Sequence, residues 1–261
     1  MLRDSEIQRY GVIIIESLPN GDCKTGTNLY NGLLKYKSHI KSEFFAELHI
    51  VQTRTDFFSE FQQLACDIDN NTMISIHIEA HGGESGLKLA SSEIITWKEL
   101  HDILRPINIK LLGLLHLAIA TCYSFPFTWS IDISQRASFK TVVFTKREMT
   151  ADEIERGFIE YYQDFFNILD SFNSLNAIQK EVNDGDPHKS PFQIMVADWA
   201  FDQISNPENN PDFHKVISSL YVKLKLSNPS ITKAEVERDC KNILALIREN
   251  GRDYFLLKDL R

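Results

Sequence analysis

The sequence predicts an α/β fold: a mostly parallel sheet of about six strands with helices on both faces, followed by a C-terminal helical appendage. Three observations lead there. Short apolar runs that suit strands buried on both faces alternate with stretches of helical periodicity. Most runs end at turn-forming residues. The 261 residues, 43% hydrophobic and 25% charged, have the balance of a globular chain long enough for one large domain and a smaller unit.

The elements follow in order. Residues 11–18, GVIIIESL, are apolar up to Glu16 and stop at Pro19 and Gly21, as a buried parallel strand does. GTNLYNGLLKYKSHI then suits a helix, and residues 47–53 a second strand. In TDFFSEFQQLACDI, Phe57, Phe61, Leu64 and Ile68 recur at helical spacing. Asn70 and Asn71 turn the chain into a third strand, MISIHIEA. Thr96 and Glu99 form a capping box ahead of Leu100, Ile103 and Leu104, and Pro106 is expected to stop that helix. KLLGLLHLAIATC reads as a fourth strand ending at Cys122, and FKTVVFT as a fifth. Thr150 and Glu153 cap the clearest helix, whose face carries Ile154, Phe158, Tyr161, Phe165 and Leu169. A polar loop is expected over 183–191, then FQIMVADWAF as a sixth, edge strand. NPENNPDF marks a boundary, giving one domain over 1–205 and an appendage over 206–261, with helices near 213–226 and 232–249.

Charge and composition exclude several classes. Net charge is −8, from 36 acidic and 28 basic residues, which is the wrong sign for a general nucleic-acid binder. The apolar stretch 111–120, broken by His116, falls far short of the roughly 20 residues a membrane span needs. Residues 12–15 are too short for a leader core, so a cytoplasmic protein without membrane contact is expected. Four cysteines sit far apart with no CxxC pair, which argues against a disulfide framework or a zinc ribbon. The Lys-Thr pair in GDCKTG does not complete a phosphate-binding loop.

The stretch IHIEAHGG, residues 76–83, carries the functional question. A helical zinc site needs His-Glu-x-x-His, and here Glu79 comes one place late. The alternation of Ile74, Ile76 and Ile78 makes a strand, on which His77 and His81 lie roughly 13 Å apart, too far to share a metal. His77, His101 and His116 read as satisfied structural residues. His81 stands where the apolar strand ends, just before Gly82 and Gly83, at the carboxyl edge where open α/β sheets place their sites. If the next strand is its parallel neighbour, Cys122 emerges at the same edge. His81 is then a general base, Cys122 a nucleophile, and the amides of Gly82 and Cys122 are oxyanion donors.

A strand ending in His-Gly, then a helix, then a strand ending in Cys, resembles the caspase-like cysteine peptidases of the caspase–separase fold. His81 and Cys122 are 41 residues apart, against about 50 in caspases. IATCYS resembles the bacterial CHAT branch, with a small residue, Cys, any residue, then Ser. EIITWKEL looks like that branch's helix start, TVVFTKREMTADEIERGFIEYYQDFF like its strand and long aromatic helix, and SLNAIQKEV like the short helix after it. Over residues 10–200 the resemblance implies a caspase-haemoglobinase-like sheet, a His81–Cys122 dyad, no metal and no organic cofactor. It also implies a specific protein substrate. One encoded alongside is an example, such as a gasdermin-like pore former in bacterial antiviral defence. Two features depart from the pattern. YSFPFTWSIDISQRASF lacks the Gly-rich loop often found after the cysteine. Ala120 stands two before Cys122, where relatives that cut after Arg or Lys often carry an acid and caspases proper a glutamine. The first pocket is therefore expected to be uncharged, lined by Ala120 and aromatics such as Phe125, Phe127 or Trp129, while Glu79 and Asp132 as acidic wall candidates leave cleavage after a basic residue open. A catalytically silent scaffold is the competing reading.

Overall fold

The computed structural model describes residues 7–168, 174, 190–206 and 213–260. At its centre is a mixed sheet. β1 (Arg9–Ser17), β2 (Phe44–Ile50), β3 (Thr72–Gly83), β6 (His116–Ala120) and β7 (Thr141–Thr145) run parallel, and β8 (Phe192–Val196) closes one edge antiparallel. The order across the sheet is β2-β1-β3-β6-β7-β8. A hairpin of β4 (Gly86–Lys88) and β5 (Ile94–Thr96) pairs with the far end of β3.

Alternation along each strand sorts the core into two layers. Ile13, Ile15, Ile74, Ile76, Ile78, Leu117, Ile119, Val142 and Phe144 share one cluster with Phe57 and Phe61 of α3 (Arg54–Asp67) and Leu100 and Leu104 of α4 (Trp97–Lys110). Val12, Ile14, Ala118, Ala120 and Val143 face the other way. They pack with Leu29 of α1 (Thr25–Leu29) and with Phe158 and Tyr161 of α6 (Ala151–Ile168). A π-helical turn over Tyr30–Leu34 joins α1 to α2 (Lys35–Ile40), and the short α5 (Pro126–Trp129) lies between β6 and β7.

Several boundaries differ from the sequence reading, each for a physical reason. Pro106 lies inside α4, which runs on to Lys110. A proline there removes one helical hydrogen bond. Burial of Leu104 and Ile107 offsets that loss, as do the bonds of Asn108, which donates to the Ala137 carbonyl and accepts from the Leu115 amide. The fourth strand is consequently short, because Leu112 and Gly113, both at positive φ, turn the chain before β6 begins. β8 ends at Val196, and ADWAF opens α7 (Ala197–Ser205) instead of continuing the strand. The short helix over 174–182, the loop over 183–191, Leu169 and the boundary over 206–213 lie wholly or mostly outside the described residues.

Past that boundary, α8 (Phe213–Ser227) and α9 (Lys233–Asn250) pair through Phe213, Ile217 and Val236. α10 (Arg252–Phe255) brings the chain back to the main layer, where Phe255 is buried in the large cluster and its carbonyl accepts from the Ala137 amide. Among the described residues no helix is long and apolar enough to cross a membrane.

Candidate active site

Strand parity and register place the predicted residues. In β3, Ile74, Ile76 and Ile78 point toward α3 and α4, so Ser75, His77, Glu79 and His81 take the opposite face. In β6, Ala118 and Ala120 belong to that same face. β3 and β6 are parallel neighbours, and β1, β3 and β6 align Glu16 with Glu79 and Glu79 with Ala120. His81 and Cys122 follow two residues later on their strands, just beyond the parallel ladder. Both line one cleft of about 380 Å³.

Gly82 brings the two strand ends together. A Cβ at this position would stand 2.0 Å from the Cys122 carbonyl oxygen and 2.5 Å from Thr121 Oγ1. Only a glycine lets the two backbones approach so closely. The two residues expected to supply oxyanion donors are therefore in direct contact.

The turn bearing Cys122 is tied to the segment after β7. The buried Ser124 hydroxyl accepts from the Thr145 amide at 2.8 Å and lies 3.3 Å from the Ile119 carbonyl. Thr145 Oγ1 donates to the Thr121 carbonyl, and the Phe125 amide to the Thr145 carbonyl at 3.0 Å. Tyr123 sits at φ 49°, a left-handed conformation that costs a non-glycine residue about 1 kcal/mol. Its amide donates to the Arg147 carbonyl. The serine two places after the cysteine thus holds the cysteine turn, and the strain falls on the residue between them.

The sulfur and the imidazole have separate partners. The Met149 amide donates to Cys122 Sγ at 3.3 Å, the thiol lies 3.6 Å from the Met149 carbonyl oxygen, and the Arg147 guanidinium is anchored by Glu153 at 2.8 Å. His81 Nε2 lies 2.7 Å from Asp22 Oδ2. A carboxylate there fixes the proton on Nε2 and leaves Nδ1 as the basic nitrogen. The two side chains are 53% and 39% exposed, so the pair orients the ring and adds little stability. His81 and Cys122 do not hydrogen-bond each other. Asp22, in the turn after β1, was not singled out from the sequence. The signal was present, because the GDCKTG loop leaves the carboxyl end of a central strand, where sites gather.

Beneath this pair lies a buried polar chain. Thr25 Oγ1 donates to Glu79 at 2.7 Å, His77 Nε2 lies 2.9 Å from the other Glu79 oxygen, and His77 Nδ1 lies 3.2 Å from the Tyr162 hydroxyl. Burial pushes the Glu79 carboxyl above the ordinary range, against the pull of His77 and Thr25. His77 is thus a satisfied core residue, as is His101, bonded to Ser138 and the Phe127 carbonyl; His116 is buried with its Nδ1 2.7 Å from Thr141 Oγ1.

Of the expected pocket residues, Ala120 and Glu79 line the cleft. Phe125 packs against the core of the opposite face, near Phe144 and Trp129. Phe127 is buried there, stacked on His101. Asp132 lines a separate hollow with His101, Asp102 and Arg105. The aromatic segment leaves the cysteine turn toward α4, which carries these side chains away from the cleft. Cys23 is exposed at the cleft, whereas Cys66 and Cys240 lie outside it, and among the described residues all four cysteines are unpaired. No group of three or more His, Cys, Asp or Glu among the described residues is placed to hold a metal.

No family model matches the chain, and no curated protein is significantly similar to it.

Proposed function

We propose that the chain is a cysteine endopeptidase of the caspase-like, CHAT-related type, working through Cys122 and His81. The observation that carries this reading is the backbone contact between Gly82 and Cys122, which sets a histidine and a thiol on one cleft at the carboxyl ends of adjacent parallel strands. The strained turn at Tyr123 and the Met149 amide bonded to the sulfur add support.

In this mechanism the open Nδ1 of His81 takes the proton of the Cys122 thiol. The sulfur attacks the peptide carbonyl carbon, and the amides of Gly82 and Cys122 hold the oxygen as it gains charge. His81 returns its proton to the leaving amine. Water, deprotonated by His81, then releases the acyl group and restores the thiol. Asp22 keeps the ring in the tautomer these steps use. The substrate is a specific protein met in the cytoplasm. A neighbouring-encoded effector such as a gasdermin-like pore former fits the resemblance.

The test is co-expression of the chain, or Cys122→Ala, with the protein encoded beside it, read by mass. A product made by the wild type and absent with the variant supports the reading. If peptide-directed thiol probes leave Cys122 untouched while the chain still binds that protein, the peptidase reading fails and the scaffold reading replaces it.

A further inference from the structure

Two thiols face one cleft. Cys23, in the turn after β1, and Cys122, in the turn after β6, both line it, whereas Cys66 on α3 and Cys240 on α9 lie elsewhere. The peptidase chemistry described above makes no use of Cys23. This residue is exposed, and its sulfur accepts a long hydrogen bond, 3.9 Å, from Asn28 Nδ2, which also donates to Glu155 at 2.8 Å. So loose a tether leaves the Cys23 side chain able to turn.

The sheet sets the distance to be crossed. β1 and β6 flank β3, so their ends stand about 10 Å apart, two strand spacings. A disulfide needs Cα atoms about 4.4–6.8 Å apart. The two turns must therefore lean toward each other over the end of β3, and both already do. From the β1 side Asp22, the neighbour of Cys23, reaches His81 Nε2 at 2.7 Å. From the β6 side the Cys122 carbonyl packs so closely on Gly82 that a Cβ there would stand 2.0 Å away. Both cysteines thus belong to turns that touch the same strand end. The remaining few ångströms fall on the turn before Cys23, where Gly21 sits at φ 113° and nothing lies within 4 Å of its Cβ position.

We propose that Cys122 is a site of oxidation by hydroperoxides and that Cys23 resolves it, forming a reversible disulfide across the cleft. The Cys122 thiolate attacks the O–O bond, which breaks; the sulfur becomes a sulfenic acid and the peroxide leaves reduced, as an alcohol or water. The Cys23 sulfur then attacks the oxidised one, an S–S bond forms, and the hydroxyl departs with a proton as water. Two thiols have given two electrons and two protons to the peroxide, and a thiol reductant reverses the step. The bond removes the sulfur that the peptidase reading requires, and it keeps Cys122 from passing on to the irreversible sulfinic acid. The pairing does not depend on the peptidase reading; its effect on turnover does.

The test treats the full chain with hydrogen peroxide, blocks the remaining thiols with N-ethylmaleimide and maps peptides of the monomer by mass without reduction. The wild type should give a linked Cys23–Cys122 peptide, and dithiothreitol should restore most of the labelling of Cys122 by iodoacetamide. In Cys23→Ser, Cys122 should pass on to sulfinic acid, and dithiothreitol should restore at least about fivefold less labelling. No linked peptide in the wild type, or equal recovery in the two proteins, overturns the proposal. The wild-type map decides alone if the variant does not fold. If the linked peptide forms but peptidyl chloromethyl ketones leave the reduced Cys122 unlabelled, the peptidase reading fails and the disulfide stands.

Discussion

Replacing Gly82 by alanine tests the contact on which the site depends. The new methyl group would start 2.0 Å from the Cys122 carbonyl oxygen, where real Cβ atoms keep at least 3.0 Å. About 1 Å of separation must be found, and both sides of the contact are backbone, so no rotamer change supplies it. The end of β3 and the cysteine turn must move apart. The turn is pinned by Ser124 and Thr145, so most of the movement falls on His81 and Gly82. A 1 Å error at reacting groups costs about a hundredfold in rate, and overpacking costs about 1–3 kcal/mol in stability. Gly83→Ala is the control, since a Cβ there meets nothing within 4 Å. The assay is the rate of alkylation of Cys122 by a peptidyl probe, beside urea unfolding of both variants. Gly82→Ala should lose about two orders of magnitude in probe reactivity while Gly83→Ala stays within a few-fold of wild type. Equal reactivity and equal stability in the two would refute the claim that the strand ends are in contact.

Three further outcomes follow from groups away from the cleft. Desolvation lowers the His101 pKa from 6.5 to about 4, so the native state keeps this ring neutral while the unfolded chain protonates it. Its contribution is fully present above pH 6.5 and is lost as the pH falls toward 4, up to about 3 kcal/mol. Urea unfolding should therefore weaken across that window less steeply in His101→Gln than in wild type, and equal slopes would contradict the assignment. Phe255→Ala should cost about 3–5 kcal/mol, because the ring is 1% exposed within the large core cluster. Asp259→Asn, which weakens a surface ion pair with Arg136, should leave the urea midpoint close to that of wild type.

What could be read from the sequence was what local pattern controls. The β-branched runs of β1 and β3, the capping boxes at Thr96 and Thr150 and the aromatic face of α6 each announce themselves within about a dozen residues. The adjacency of His81 and Cys122 was inferable because crossover units place consecutive strands side by side. Four features were hidden because distant residues decide them. Asn108 and Ile107 carry α4 through Pro106 by contacts with residues far along the chain. The β4–β5 hairpin uses strands of only three residues, too short for periodicity to show. Asp22 becomes a partner of His81 only when a loop 59 residues away folds over the strand end. The fate of the aromatic segment after Cys122 turned on which face of the sheet its turn leaves from, and composition does not encode that.

The return of α10 to the sheet bears on the lifetime of the native state. The Arg136–Tyr254 hydrogen bond joins positions 118 residues apart. Closing a flexible loop of that length costs about 4 kcal/mol in chain entropy, so the bond forms favourably only after the strands between have assembled. Contacts made that late are absent from the folding transition state, and they act on the rate of unfolding more than on the rate of folding. Phe255 and its neighbours are therefore expected to act as a kinetic clasp, with Phe255→Ala raising the unfolding rate more than it lowers the folding rate in stopped-flow urea jumps. They leave the speed of collapse to the strands of the sheet and set how long the assembled cleft persists before it opens.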